Sequence, residues 1–363
     1  MKKLVFFLLL LLFSGSTQAQ KTKIKTKGTV SASAGQVWST TKAWAWYREH
    51  PWMSGANFIP STAINQLEMW QADTFDPTTI DRELGWAEGI GFNTMRVFLH
   101  SQAWQQDPKG FKQRVDTYLG IADKHHIQTI FVFFDDCWNK TSQVGVQPAP
   151  KTGIHNSGWL QDPGDPASRD STTFIKLKPY VQDVITTFKA DRRILLWDLY
   201  NEPGNSGKLV SSMPLLRNVF SWARAVNPTQ PLSVGLWAWD YGALISFQAL
   251  NSDVITYHNY EDAPMHQRVI ELLETHDRPL ICTEYMARTR NSRFSTIMPL
   301  LKKQNVGAIN WGLVDGKTNT KYQWDTPLAD GSEPIEWFHE VFHRDGTPYR
   351  QDETNLIKKL NGK

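Results

Sequence analysis

The sequence has few of the residues that bind metal, phosphate or nucleic acid through a local motif. Its 363 residues include two cysteines, Cys137 and Cys282. That excludes a zinc ribbon and a disulfide-dense scaffold. Each cysteine sits in a strongly apolar run and reads as a buried thiol, a disulfide between them being the alternative that export would permit. Lysine and arginine (39) barely outnumber aspartate and glutamate (36), and no basic stripe breaks the even distribution. The net charge of +3 therefore argues against a nucleic-acid partner. No glycine-rich turn follows the first apolar run of the main body, "NFIPSTAINQLEMW", so the phosphate cradle of a dinucleotide or nucleotide fold is missing. No apolar run reaches the roughly 20 residues of a membrane span.

An export signal is present. "MKKLVFFLLLLLFSGSTQAQ" sets two lysines before a short apolar stretch and small residues after it, the pattern of a secretory signal. Cleavage after Ala19 is expected, with an uncleaved anchor as the alternative. No cysteine lies near the cut to carry a lipid. The reading is a signal peptide over 1–19, a flexible and mildly basic segment over 20–36, and one domain over 37–363, secreted or periplasmic.

Beyond residue 53 one unit repeats: a short apolar run, a polar turn, an amphipathic stretch. "DPTTIDRELGWAEGIG" offers Asp76 as a cap, Pro77 at the first helical position, and Ile80, Leu84 and Ala87 on one face. Phe111, Val115, Tyr118 and Ala122 repeat at helical spacing. So do Phe174, Leu177, Val181, Val184 and Phe188 in a helix expected over 173–190. Further helices are expected over 212–227, 240–250, 263–276 and 292–305, with a last helical stretch carrying "EWFHEVFH" and then a short closing segment. The eight apolar runs include "FNTMRVFLH", "QTIFVFFDDCWN", "ILLWDLYN", "LSVGLWAW", "VITYHNY", "PLICTEYMAR" and "VGAINWGLV". Eight strands alternating with helices over roughly 250 residues predict an α/β fold of one domain, a (β/α)8 TIM barrel. Between the third run and the next helix, residues 139–172 form a long loop rich in Pro, Gly and Asn. Loops of that length are usually functional, and this one is expected to cover one side of a cleft.

In such a barrel chemistry belongs at the carboxyl ends of the strands. Polar residues collect there: Arg96 and His100 on the second strand, Asp135, Asp136 and Trp138 on the third, Asn201 and Glu202 on the fourth, His258 and Tyr260 on the sixth, Glu284 on the seventh, Trp311 on the eighth. One glutamate at a strand end is explained by helix capping. Two, with arginine, histidine and tyrosine at the same level, fit glycoside hydrolysis, which needs one protonated and one ionised carboxyl across the scissile bond. An arginine and a tyrosine hydroxyl keep a carboxylate charged. Arg96 and Tyr260 can do so for Glu284, which leaves Glu202 as the acid/base. Strands four and seven face each other across a narrow barrel, so a short separation and retention of configuration are expected.

The ordered motifs "NEP" (Asn201, Glu202, Pro203), "HNY" (His258, Tyr260) and "TEY" (Glu284), with Arg96 and Trp311, resemble the clan A retaining glycoside hydrolases, most closely the cellulase-like family-five group. The match spans roughly residues 54–340. The resemblance implies β-glycosidic substrates, Glu284 as nucleophile, Glu202 as acid/base, and Asn201 on the 2-hydroxyl of the reacting sugar. It implies an oligosaccharide or polysaccharide substrate, no cofactor, no metal, and no membrane contact once the signal is removed. Members of the group commonly end the third strand with a histidine, where this chain has Cys137. Asp135 or Asp136 is expected to take over a hydroxyl contact, a two-metal or calcium reading of that pair being the alternative. Of the sixteen tryptophans, Trp138, Trp159, Trp237, Trp239, Trp311 and Trp324 fall at strand ends or in loops, where some are expected to stack on sugar. Trp86, Trp197 and Trp222 read as core, and His125-His126 as a helix-ending surface pair. Two competing readings are a non-catalytic glycan-binding protein on a hydrolase barrel and an α/β enzyme of unrelated chemistry. The first predicts loss of a carboxylate and the second a phosphate loop, and the sequence shows neither. Sugar, linkage, endo or exo action and oligomeric state stay open.

Overall fold

The computed structural model describes residues 35–363 apart from 166 and 241. The signal segment and nearly all of the lead-in lie outside the described residues. Eight strands form: β1 (Ser54–Asn57), β2 (Thr94–Phe98), β3 (Gln128–Asp135), β4 (Ile194–Asn201), β5 (Leu232–Ser233), β6 (Ile255–His258), β7 (Leu280–Glu284) and β8 (Gly307–Asn310). All pairings are parallel, in the order β5-β4-β3-β2-β1-β8-β7-β6. The two ends meet through a parallel bridge between Leu236 and Tyr257, where the amide of His258 donates to the Leu236 carbonyl. The sheet therefore closes into the expected (β/α)8 barrel. Among the described residues no helix is long and apolar enough to cross a membrane.

Several crossover helices start at an aspartate whose carboxylate takes an otherwise orphan amide, with proline in the first two positions. Asp76, Asp107 and Asp262 accept from the amides of Thr79, Gly110 and Met265. The apolar stripes expected from spacing are the ones buried: Ile80, Leu84 and Ala87 in Pro77–Gly89, and Phe111, Val115, Tyr118 and Ala122 in Pro108–Lys124. They pack with outward strand residues such as Phe131, Phe133 and Trp197. A second cluster of Tyr47, Met53, Ile130, Leu196, Ile281 and Ile309 fills the barrel toward its amino-terminal end. Tyr47 belongs to a helix missed in the sequence, Thr40–Arg48, and its hydroxyl donates to the carbonyl of Asn305. Both cysteines are buried free thiols.

Four expectations need correction. The helix placed over 173–190 is a short turn (Ser171–Phe174), a 3-10 turn (Ile175–Leu177) and a helix from Lys178 to Phe188, although the expected stripe is buried throughout. The fifth strand is two residues long, and beyond it the expected run pairs only through the bridge at Leu236, past Gly235, where a Cβ would lie 2.7 Å from His258 Nε2. His125 is half-buried rather than exposed, its ring held between Asp81 and Glu88, while His126 is exposed as expected. Finally, "EWFHEVFH" is not helical, and the helix lies in the closing segment, Gln351–Asn361. The cause is Arg288. Its buried guanidinium takes the carbonyls of Trp337, His339 and Glu340, which a helix would need for its own ladder, and it also pairs with Glu353 of the closing helix at 2.6 Å.

Two predictions follow from this corner of the molecule. Arg288→Ala strands buried Glu353 and three carbonyls, and should cost roughly 3–5 kcal/mol in urea unfolding. A loss below about 1 kcal/mol, the range of a surface pair, would show that Arg288 does not organise the segment. Glu340 is also buried, with one oxygen bonded to Thr320 and the other without a protein partner. Burial first, then Asp315, pushes its pKa up from 4.5 to about 8. A pKa raised in the folded state means that the proton favours folding. The contribution is complete below about pH 4.5 and is lost as pH rises toward 8. Glu340→Gln, which cannot ionise, should gain stability relative to the parent between pH 5 and pH 8. Parallel stability curves over that range would count against a buried neutral acid.

Candidate active site

The floor of the site is Arg96 on β2, fully buried inside the barrel. A buried guanidinium needs every donor engaged. Nε donates to Asp198 on β4 at 2.9 Å, Nη1 to Asn57 on β1 at 2.8 Å and to Glu284 on β7 at 2.9 Å, and Nη2 to Asn201 on β4 at 2.7 Å. One side chain thereby ties four strands together and fixes both the Glu284 carboxylate and the amide beside Glu202.

Glu284 closes β7 with its second oxygen taking the Tyr260 hydroxyl at 2.8 Å. Glu202 follows β4 with its backbone in the left-handed region, φ +44°, directly before a proline. A glutamate there costs on the order of 1–3 kcal/mol, which the surrounding contacts must hold in place. One Glu202 oxygen lies 2.8 Å from His258 Nδ1. The other takes the Asn205 amide and the Cys137 thiol, Sγ at 3.2 Å. Oxygens of Glu202 and Glu284 and a ring nitrogen of His258 lie within 4.8 Å of one another. Such a trio could hold a cation, but the fixed charge of Arg96 on Glu284 opposes one, and Nδ1 is already turned onto Glu202.

Burial raises the pKa of both glutamates, and at Glu284 the nearby Glu202 adds to it. Arg96 and Tyr260 act against the rise at Glu284. The guanidinium and the phenol therefore favour the charged form at Glu284. Burial lowers His258 to about 4, so its ring is neutral at pH 7.

The structure gathers Glu202, Glu284, Asn201, Tyr260, Trp138 and Trp311 around one cleft of about 540 Å³. Arg96 and His258 sit just beneath it. Asp135 and Asp136, read from the sequence as sugar contacts, do not line the cleft. Asp135 is buried and accepts from Asn201 Nδ2, Trp159 Nε1 and the amide of Cys137. Burial lifts its pKa to about 6. Asp136 points the other way. It accepts from Tyr200, the amide of Gly204, Ser212, and Lys208 at 2.6 Å, all buried. Strand alternation sends consecutive side chains to opposite faces, so the pair could not share one role. His100 is buried and caps the helix Ser101–Gln106.

Of the loop tryptophans, Trp138, Trp159, Trp237, Trp311 and Trp324 line the cleft, and Trp239 does not. Trp159 and Phe98 meet Trp311 edge-on, at 5.5 and 5.9 Å between ring centres. The loop 139–172 covers one side as expected, supplying His155, Asn156 and Trp159. His155, Asn156, Asn205, Ser206 and His339 were missed in the sequence. Asn205 stood in plain view three residues after Glu202. His339 was hidden by the helical reading of its segment.

The family model for the glycosyl hydrolases family 2, TIM barrel domain, matches residues 163–312. No curated protein matches. Among solved structures, the chain is similar to the GH5_18 protein from Streptomyces cattleya in complex with Manb1-4GlcNAc (12% identity, 86% of this chain and 80% of that one, TM-score 0.59). It is also similar to the endo-beta-1,4-mannanase from Thermotoga petrophila (13%, 86% and 76%, TM-score 0.55). A third is the exo-beta-1,4-mannosidase Op5Man5 from Opitutaceae bacterium strain TAV5 (16%, 86% and 59%, TM-score 0.60). At these identities the likeness is one of fold. The chain has the TIM barrel of the glycosyl hydrolases, in line with the resemblance that its strand-end motifs suggest.

Proposed function

We propose that this chain is an exported retaining β-glycosidase, with Glu202 as acid/base and Glu284 as nucleophile. One observation carries the reading: two buried carboxyls meet over the same cleft in opposite surroundings. Glu284 is clamped by a guanidinium and a phenol, which suits an anion. Glu202 is buried with no cation bonded to it, and burial raises its pKa, which suits an acid. In the first step Glu202 gives its proton to the glycosidic oxygen while Glu284 bonds to the anomeric carbon and the C–O bond to the leaving group breaks. In the second, Glu202 takes a proton from water, the water oxygen bonds to that carbon, and Glu284 leaves as carboxylate. Approach of carboxylate oxygens to within 4.8 Å favours this double displacement over a single one that must fit a water between them. Export rests on the amino-terminal sequence. β-Mannosides head the substrate panel, since proteins of similar fold bear those names.

Activity on an aryl β-glycoside should fall by about 10²–10⁴-fold in Glu202→Ala and at least as far in Glu284→Ala, with both variants folded. Azide should partly restore the Glu202 variant, with a β-glycosyl azide as product; any azide rescue of the Glu284 variant should give the α anomer instead. Near-parental turnover in either would sink the assignment. The fresh product should be the β anomer by NMR, an initial α anomer being fatal to Glu284 as nucleophile. The rate should need Glu284 ionised and Glu202 protonated. Because burial raises Glu202, the alkaline limb of kcat/KM should lie above the ordinary glutamate range and move in a Glu284 variant. Chelator should leave the rate unchanged.

A further inference from the structure

Glu202 stands at the end of β4, and an acid must reach the oxygen it protonates. The leaving group therefore lies over β4, toward Asn205, Ser206 and Trp237. The sugar bearing the anomeric carbon lies on the other side, over Glu284 and Trp311. A chain continuing from the far end of that sugar would have to run over β8, β1 and β2. Three loops are bonded together there. The amide of Asn156 donates to Thr318 O at 2.8 Å, that of Leu328 to Gly153 O at 3.0 Å, and Asn319 Nδ2 to Lys151 O at 3.0 Å. The loop after β1 joins through Asn65 Nδ2 on Gly158 O at 2.9 Å. Gly153 sits at φ +71°, and a Cβ there would fall 1.7 Å from Leu328 O, so the seam has no slack.

The wall behind that seam presents acceptors. His339 Nδ1 lies 2.5 Å from the carbonyl of Met286. A carbonyl only accepts, so Nδ1 carries the hydrogen and Nε2 of the neutral ring carries a lone pair. Burial, and then His155, keep that ring neutral. His155 is fixed the same way by the carbonyl of Tyr322 at 2.8 Å. His339 Nε2 and Asn156 Oδ1 are buried without a protein partner, in two residues that line the cleft. Leaving such acceptors unpaired costs about 1–3 kcal/mol each. A sugar hydroxyl would satisfy them.

Building on the glycosidase reading, we propose that the chain attacks β-linked glycans from their non-reducing end. The joined loops after β1, β3 and β8 close the cleft beyond the sugar held on Trp311, and His339 and Asn156 accept hydroxyls of that terminal unit. The sector over β4 to β6 is left to the leaving group.

Reduced β-1,4-mannohexaose and cellohexaose serve as probes, each with a free non-reducing end or with that end capped as a 4,6-benzylidene acetal. Cleavage is followed with the full chain, and binding by calorimetry with its Glu202→Ala variant. Free-ended chains should bind, and should shorten from the first time point by one constant step. Capped chains should bind at least about tenfold more weakly and stay intact. Mixed internal fragments, equal binding of capped and free chains, or no binding of either free-ended chain would overturn the proposal. A wild-type protein inert toward every β-glycoside would instead refute the hydrolase reading, and the binding comparison would still decide this one. Asn156→Gly, which keeps the left-handed backbone (φ +47°), and His339→Phe should each weaken binding of the free-ended chain about tenfold. Parental affinity in both would remove the acceptors from the argument.

Discussion

Burial of Arg96 is the constraint on which the rest of the site depends. One permanent cation sits inside the barrel with Asp198 and Glu284 in contact, and with Asp135 and Glu202 close enough for its charge to act on them. Removing a guanidinium from water costs several kcal/mol unless all its donors are used, and here they are. The arrangement also leaves more carboxyls than cations, since His258 is neutral. Burial pushes Asp135 to about 6 and raises both Glu202 and Glu284, and hydrogen-bond geometry decides which of the two glutamates is better held as an anion. Glu284 has the guanidinium and the phenol, and Glu202 has neither.

Glu202 is positioned from outside the barrel as well as from within. Its left-handed backbone would relax if the turn after β4 were free. Asp136 prevents that by holding the amide of Gly204, the hydroxyls of Ser212 and Tyr200, and the ammonium of Lys208 together behind the turn. A buried ion pair of this kind is weak evidence for stability and better evidence for a fixed geometry. Asp135 does the matching work inside, orienting the amide of Asn201 and the indole of Trp159. The two neighbouring aspartates thus brace Glu202 and its neighbour Asn201 from opposite sides of the strand end.

The barrel was legible because its signals are local: short continuous apolar runs, helical stripes and Asp-Pro starts such as Asp76-Pro77 all lie within a few residues of each other. The strand-end polar set was legible for the same reason, each residue closing an apolar run. What failed depended on distant partners. The segment around His339 has helical spacing, but Arg288, about fifty residues earlier in the chain, takes its carbonyls. Asp136 looks identical to Asp135 until Lys208 and Ser212 arrive from another turn. The loop residues His155 and Asn156 carry no motif, and only the seam to Thr318 and Tyr322 gives them a place.

Cys137 connects these findings. Its thiol lies 3.2 Å from Glu202 and 3.4 Å from the Asn201 amide. Burial and the surrounding carboxylates raise the thiol well above its ordinary value, so it stays neutral and leaves the titration to Glu202 and Glu284. A thiol is a weak donor and a weak acceptor, and Asp135 beneath it is already engaged by Asn201 and Trp159. On the proposed reading, hydroxyl contacts that this strand does not offer would fall to the unpaired acceptors of His339 and Asn156 in the joined loops.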